Sequence, residues 1–164
     1  VPSFDLVSKI DIGELKNAVN IARKLILGRY DFKGSKVTIE LVNKDSELEI
    51  KAEDESKIQA ALDIFYGSMG KRNLGLKGLE AGEIEPTGNQ MYKQLVKIQS
   101  GIDKDHGRTI NKIIKDSKLK VTSQYMDEKV RLTSKKIDEL QAAFKMLKEH
   151  KEIKIDLTME NMKS

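Results

Sequence analysis

The chain has 164 residues, 34% of them charged and 38% hydrophobic, with a net charge of +4 and no cysteine. The lack of cysteine excludes disulfides, thiolate metal sites and cysteine nucleophiles; no apolar run approaches the roughly 18 residues of a membrane span, and a cytoplasmic protein is the expectation. Charge is uneven, with 13 Lys/Arg against 15 Asp/Glu over residues 1–86 but 15 against 8 over residues 87–151, so a basic surface is expected in the second half.

Phe4, Leu6 and Ser8 alternate with Asp5, Val7 and Lys9, which reads as a short strand over Ser3 to Lys9. Asp11 caps a helix in which Ile12, Leu15, Val19, Ala22 and Ile26 form one apolar face, Glu14 stands where a capping box wants it, and Gly28 ends the run. A hairpin follows, with Val37, Ile39 and Leu41 alternating in one strand, Leu48 and Ile50 in the next, and Asn43 to Ser46 between them. Asp54 caps a second helix that buries Ile58, Ala61, Leu62, Phe65 and Met69. Glycines at 70, 75, 78, 82 and 88 with Pro86 then break the periodicity, apart from a short closing strand within Leu79 to Glu85.

The second half repeats the order. A strand over Met91 to Gln99 precedes a helix after Asp103 that buries Ile110, Ile113 and Ile114. Strands over Leu119 to Tyr125 and Lys129 to Thr133 follow, then a helix from Ser134 burying Ile137, Leu140, Phe144 and Leu147, and a closing strand over Ile153 to Leu157. Strand-helix-strand-strand-helix-strand, twice over, predicts an α+β protein of two ferredoxin-like domains, each a four-stranded antiparallel sheet with two helices on one face. The boundary is expected in the glycine-rich stretch, giving domains 1–87 and 88–164. The pattern leaves open whether the first strand pairs in its own sheet or in the other.

Between the first helix and the hairpin lies Arg29-Tyr30-Asp31-Phe32-Lys33-Gly34, which gathers cations, rings and a carboxylate in six residues. Cations suit phosphate oxygens and ring faces suit bases; the alternative is a plug between helix and sheet with Gly34 supplying a turn. Together with Pro2-Ser3-Phe4-Asp5, Lys97-Ile98-Gln99-Ser100-Gly101-Ile102, Ile114 to Val121 and Val130-Arg131-Leu132-Thr133, this stretch resembles the YajQ family of small bacterial nucleotide-binding proteins over nearly the whole chain. The resemblance implies two domains similar to RNA-binding modules and a nucleotide or nucleic-acid ligand, with RNA, tRNA, a guanine nucleotide or cyclic di-GMP as candidates.

Strand alternation in the second half places Lys97, Lys120 and Arg131 on an open, basic sheet face. The candidate nucleotide-binding residues are therefore Arg29, Tyr30, Phe32 and Lys33 in the loop and Lys97, Lys120 and Arg131 on the sheet. The basic-Gly-aromatic motif of a standard RNA-recognition module is missing. No catalytic residues, metal site or cofactor are expected: Gly67 to Arg72 lacks phosphate-loop spacing, and His106 and His150 lack ligand spacing. A non-enzymatic binding protein is the leading expectation, and a protein-interaction adaptor presenting a sheet edge or face is the alternative from another class.

Overall fold

A computed structural model describes residues 1–164. It is α+β, with four helices and two antiparallel sheets. Helix α1 (Ile12–Gly28) starts at Asp11, whose side chain accepts from the Glu14 N–H at 3.1 Å, and buries Leu15, Ala18, Val19, Ala22 and Ile26. Glu14 does not complete a capping box. It turns to Arg72 at the end of α2 (Glu55–Lys71), where Nε and Nη2 reach its two oxygens at 2.7 and 2.8 Å. Helix α2 runs through Gly70 to Lys71.

The strands are β1 (Ser3–Val7), β2 (Thr38–Val42), β3 (Glu47–Ala52), β4 (Leu79–Ala81), β5 (Glu85–Thr87), β6 (Met91–Ile98), β7 (Thr122–Met126), β8 (Lys129–Thr133) and β9 (Thr158–Lys163), with α3 (Lys104–Asp116) and α4 (Ile137–Glu149) in the second half. One sheet has the order β2-β3-β6-β4, with β5 also pairing β6 and making five strands; the other is β7-β8-β1-β9. Each order has the arrangement of a ferredoxin-like sheet, with the hairpin (β2-β3 or β7-β8) on one side, β6 or β1 inside, and β4 or β9 on the other side.

The expected division at residues 87 and 88 does not match these pairings. Strand β6 lies against β3 from Glu47↔Lys97 to Ala52↔Tyr92, whereas β1 lies between β8 and β9, pairing Phe4 with Leu132 and Leu6 with Val130. The compact units are accordingly Ile10–Gln99 and Val1–Lys9 with Ser100–Ser164. Alternation fixes which side chains face a core but not which strand lies alongside. Phe4 and Leu6 in β1, and Val96 and Ile98 in β6, present equivalent patterns to either sheet.

Each unit has its own core. Ile10–Gln99 packs Leu15, Val19 and Ile26 of α1 and Ile58, Phe65 and Met69 of α2 against Ile39, Leu48, Ile50 and Val96. The other unit packs Ile110 and Ile114 of α3 and Leu140 and Leu147 of α4 against Phe4, Leu6, Val130 and Leu132. A second departure concerns Ile153 to Leu157. Ile153, Ile155 and Leu157 are buried as their alternation requires, but the segment forms no ladder, and the closing strand is the polar β9 that follows.

Candidate functional site

The Arg29 to Gly34 stretch is a built turn. Tyr30–Phe32 forms a 3-10 turn, with Phe32 N–H donating to Arg29 O at 3.2 Å and Lys33 N–H to Tyr30 O at 3.1 Å. Gly34 follows at φ +75°, a left-handed conformation that disfavours a side chain. The turn is fastened to the end of β3 by Glu53, which accepts from Ser35 Oγ at 2.7 Å and from the Lys36 N–H at 3.0 Å. Burial works against the Glu53 charge, but the Ser35 hydroxyl and the Glu53 and Lys36 amides outweigh it and hold the carboxyl below its ordinary range.

Within the turn the rings divide. Phe32 is buried and plugs the gap beside α1, while Tyr30 is 89% exposed. Arg29 forms a fork to Asp31, at 3.0 Å from Nε to Oδ1 and 2.7 Å from Nη2 to Oδ2, and lies over the Phe32 ring at 5.6 Å from its centroid. The bond from Arg29 lowers the Asp31 pKa, and that from Asp31 raises the Arg29 pKa, so both stay charged. Tyr30, Arg29 and Lys33 are thus all exposed within this turn.

Behind the turn, between α1 and β2, lies a cleft of about 540 Å³ lined by Arg23, Ile26, Leu27, Phe32, Lys33 and the stretch Gly34 to Glu40 except Lys36. A second hollow of about 310 Å³, lined by Lys16, Val19, Asn20, Arg23, Glu40, Leu41 and Asp45, shares Arg23 and Glu40 with the first. The two adjoin at these residues and together make a groove, crossed by Arg23, along β2, the outermost strand of its sheet. Arg23 marks its middle, donating from Nε to the Ile39 carbonyl at 2.9 Å and from Nη1 to Asn20 Oδ1 at 3.3 Å. Arg23 escaped the sequence reading because a lone arginine on a helix carries no signal until the carbonyl it reaches is known.

The expected basic sheet face is not assembled. Lys97 lies on β6 in the Ile10–Gln99 unit, across from Glu47 on β3 and Glu80 on β4. Lys120 precedes β7 rather than lying in it, and its carbonyl accepts from Ser134 Oγ. Arg131 on β8 faces Asp5 on β1, with Nε 2.9 Å from Oδ1; Asn161 Nδ2 holds the other carboxylate oxygen at 3.1 Å. The side chain of Asp5 is 4% exposed and that of Arg131 43%. The Arg131 bond outweighs burial, and Asn161 and the nearby Lys129 add to it, so the Asp5 carboxyl lies below its ordinary 3.8. Lys129 and Lys9 share Glu160. The basic excess is nonetheless real in that unit, which holds 16 Lys/Arg against 12 Asp/Glu, whereas Ile10–Gln99 holds 14 of each.

No group of three or more His, Cys, Asp or Glu lies together in a way that would hold a metal ion, and no helix is long and apolar enough to cross a membrane. His106 is used in capping α3, bonded through Nδ1 to Asp103 at 2.7 Å, and His150 accepts the Glu152 N–H. Fold and site together define a pair of ferredoxin-like units with surface clefts and charged turns.

A family model described as "Nucleotide-binding protein YajQ-like" matches residues 2–163. The chain belongs to the YajQ family. It is 45% identical over 147 residues to a protein of Carboxydothermus hydrogenoformans, covering 90% of this chain and 89% of that one. It is 44% identical to a protein of Syntrophotalea carbinolica over all of both chains, and 42% identical to one of Geotalea daltonii over 99% of each. Each of these relatives is named "Nucleotide-binding protein".

Proposed function

We propose that the protein binds a nucleotide without turning it over, and that the ligand sits on the outer surface of the Arg29 to Lys33 turn. The names of the relatives support the ligand class. The observation that carries the site is Tyr30, an 89% exposed ring between Arg29 and Lys33. An exposed ring is a stacking platform, and flanking cations hold phosphates. Phe32 supports rather than contacts, since it is buried and Arg29 covers its ring. A guanine nucleotide fits this reading, its phosphates drawing on Arg29 and Lys33; cyclic di-GMP is a compact ligand of the same class. A phosphate must share Arg29 with Asp31, which limits affinity and makes binding salt-sensitive.

A second reading, RNA held by charge, is favoured by the net +4 of the other unit and by Arg131, which spends Nε on Asp5 while its side chain stays 43% exposed. Calorimetry of nucleic-acid-free protein with GTP, cyclic di-GMP and a short single-stranded RNA separates these ligands. Saturable heat with a small nucleotide, lost in Tyr30→Ala and in Lys33→Glu, supports the turn. Binding of RNA alone, indifferent to Tyr30→Ala and weakened by Arg131→Gln, overturns it.

A further inference from the structure

The groove behind the turn differs in chemistry from the turn itself. Its first cleft sets aliphatic Ile26, Leu27, Val37 and Ile39 beside polar Arg23, Lys33, Ser35, Thr38 and Glu40, and the one ring at its base, Phe32, is buried with Arg29 over its face. Its length follows an edge strand. We infer that this groove receives an extended segment of a partner protein, added to the sheet alongside β2, with an aliphatic side chain in the 540 Å³ cleft and a carboxylate near Lys33 and Arg23.

The main chain of β2 carries the argument. The Ile39 carbonyl accepts from Arg23 Nε, so residue 39 points its main-chain carbonyl away from β3 and bonds it to a side chain, and Val37, just before β2, donates its N–H to the Ser35 hydroxyl at 3.2 Å. In an antiparallel strand the groups of Leu41 face the same way. An incoming strand replaces Arg23 and Ser35 as partner, and displaced Arg23 keeps its charge for a carboxylate. Alternate side chains of that strand then point to the helix side, where the cleft lies. The charged residues that line the groove are Lys16, Arg23 and Lys33 against Glu40 and Asp45, a net +1; Lys16 is held by Asp45 at 3.8 Å, whereas the Arg23 guanidinium bonds a carbonyl and an amide oxygen, neither of them charged. Leu27, 86% exposed, stands at the rim as an apolar lip.

The test uses the full chain and a synthetic heptapeptide alternating threonine with isoleucine and ending in a free carboxylate. The expected result is saturable binding, with amide exchange at Ile39 and Leu41 slowed about tenfold or more. Amidating the peptide terminus weakens binding by about fivefold, and N-methylating its alternate amides abolishes it, a control that leaves the protein untouched. Leu41→Pro removes an outward N–H and also abolishes binding. No saturation at millimolar peptide, or binding without slowed exchange at Ile39 and Leu41, overturns the inference. So does protection of the same amides by GTP, which gives the groove to the nucleotide, or by raising protein concentration alone, which gives it to a second copy.

Discussion

The seam between first helix and edge strand is built in both units and finished differently. In the unit holding α3 and β7, the Tyr125 ring lies against Gly107, so close that a Cβ there would stand 2.7 Å from Tyr125 Cδ1, and the Tyr125 hydroxyl donates to Ile102 O at 2.7 Å. In the unit holding α1 and β2, the strand supplies no ring to the corresponding seam and Phe32, from the turn, lines only its base; Arg23 reaches across it to the Ile39 carbonyl, and the 540 Å³ cleft remains beside it. One topology thus supports a packed seam or an accessible one, according to whether the strand supplies a ring and the helix a glycine. The difference teaches that one repeated fold leaves a cleft where its strand supplies no ring to pack on the helix.

Sharpening the comparison first requires that the units be told apart as they unfold, and the Asp5–Arg131 pair provides the largest handle. Arg131→Ala strands the buried Asp5 carboxylate with Asn161 as its remaining partner, at a cost of about 3 kcal/mol at neutral pH. The sign with pH is defined. In the parent the Asp5 pKa lies below 3.8, so its contribution is present above that value and fades as pH falls through the lower, folded pKa. In Arg131→Ala the largest cause of that lowering is gone, so the deficit shrinks as the solution is acidified. Urea unfolding at pH 7 and pH 3.5 measures this; a deficit independent of pH would remove Asp5 as its cause.

The closed seam is the next place to press. Gly107→Leu forces the Tyr125 ring off α3 and costs about 2 kcal/mol, despite the helix propensity gained. Tyr125→Phe, which keeps the ring and loses only the bond to Ile102 O, costs about 1 kcal/mol. Chemical denaturation with Phe or Tyr signals followed by NMR assigns the loss to this unit. Equal losses from the two substitutions would mean that the hydroxyl, not the ring, closes the seam.

What the sequence disclosed follows the same physical line. Periodicity located the helices and most strands, and Asp11, Asp54 and Asp103 announce the starts of α1, α2 and α3 by the bonds their side chains accept. Periodicity was silent on partners. β1 and β6 each alternate correctly for either sheet, so the pattern leaves open the exchange of strands between units that puts Lys97 and Arg131 in different sheets. Asp5 carries no sign of its burial in the sequence, because its arginine lies 126 residues away. Ile153 to Leu157 kept its burial but not its ladder, and β9, reading Thr-Met-Glu-Asn-Met-Lys, has no apolar alternation to reveal it. In the candidate site, Arg29, Tyr30, Phe32 and Lys33 do share one turn; that Phe32 is spent on packing, and that β2 is an edge with Arg23 across it, required coordinates.

On the open side, effects on stability are expected to be small. Glu14→Gln, which weakens the fork to Arg72 between α1 and α2, lowers stability only slightly, since both side chains are more than 30% exposed. The Glu14 carboxyl is held below its ordinary range chiefly by Arg72, so what it contributes fades in acid and is absent from the variant at any pH.

The smallest effect is the most telling for the groove. Leu27 is 86% exposed, so replacing it with Ser removes almost no buried area and should change stability by less than about 0.5 kcal/mol. Tyr125→Ala, at the other seam, removes a ring packed on α3 and should cost several times more. The contrast holds only if the α1–β2 groove is empty in the free protein. Sedimentation and thermal melts across a hundredfold range of concentration check this directly. A Leu27→Ser loss above 1 kcal/mol that grows with protein concentration would mean that copies of the chain already cover this lip. A loss independent of concentration would place Leu27 inside its own unit's packing, and the accessible seam would then be as closed as its counterpart.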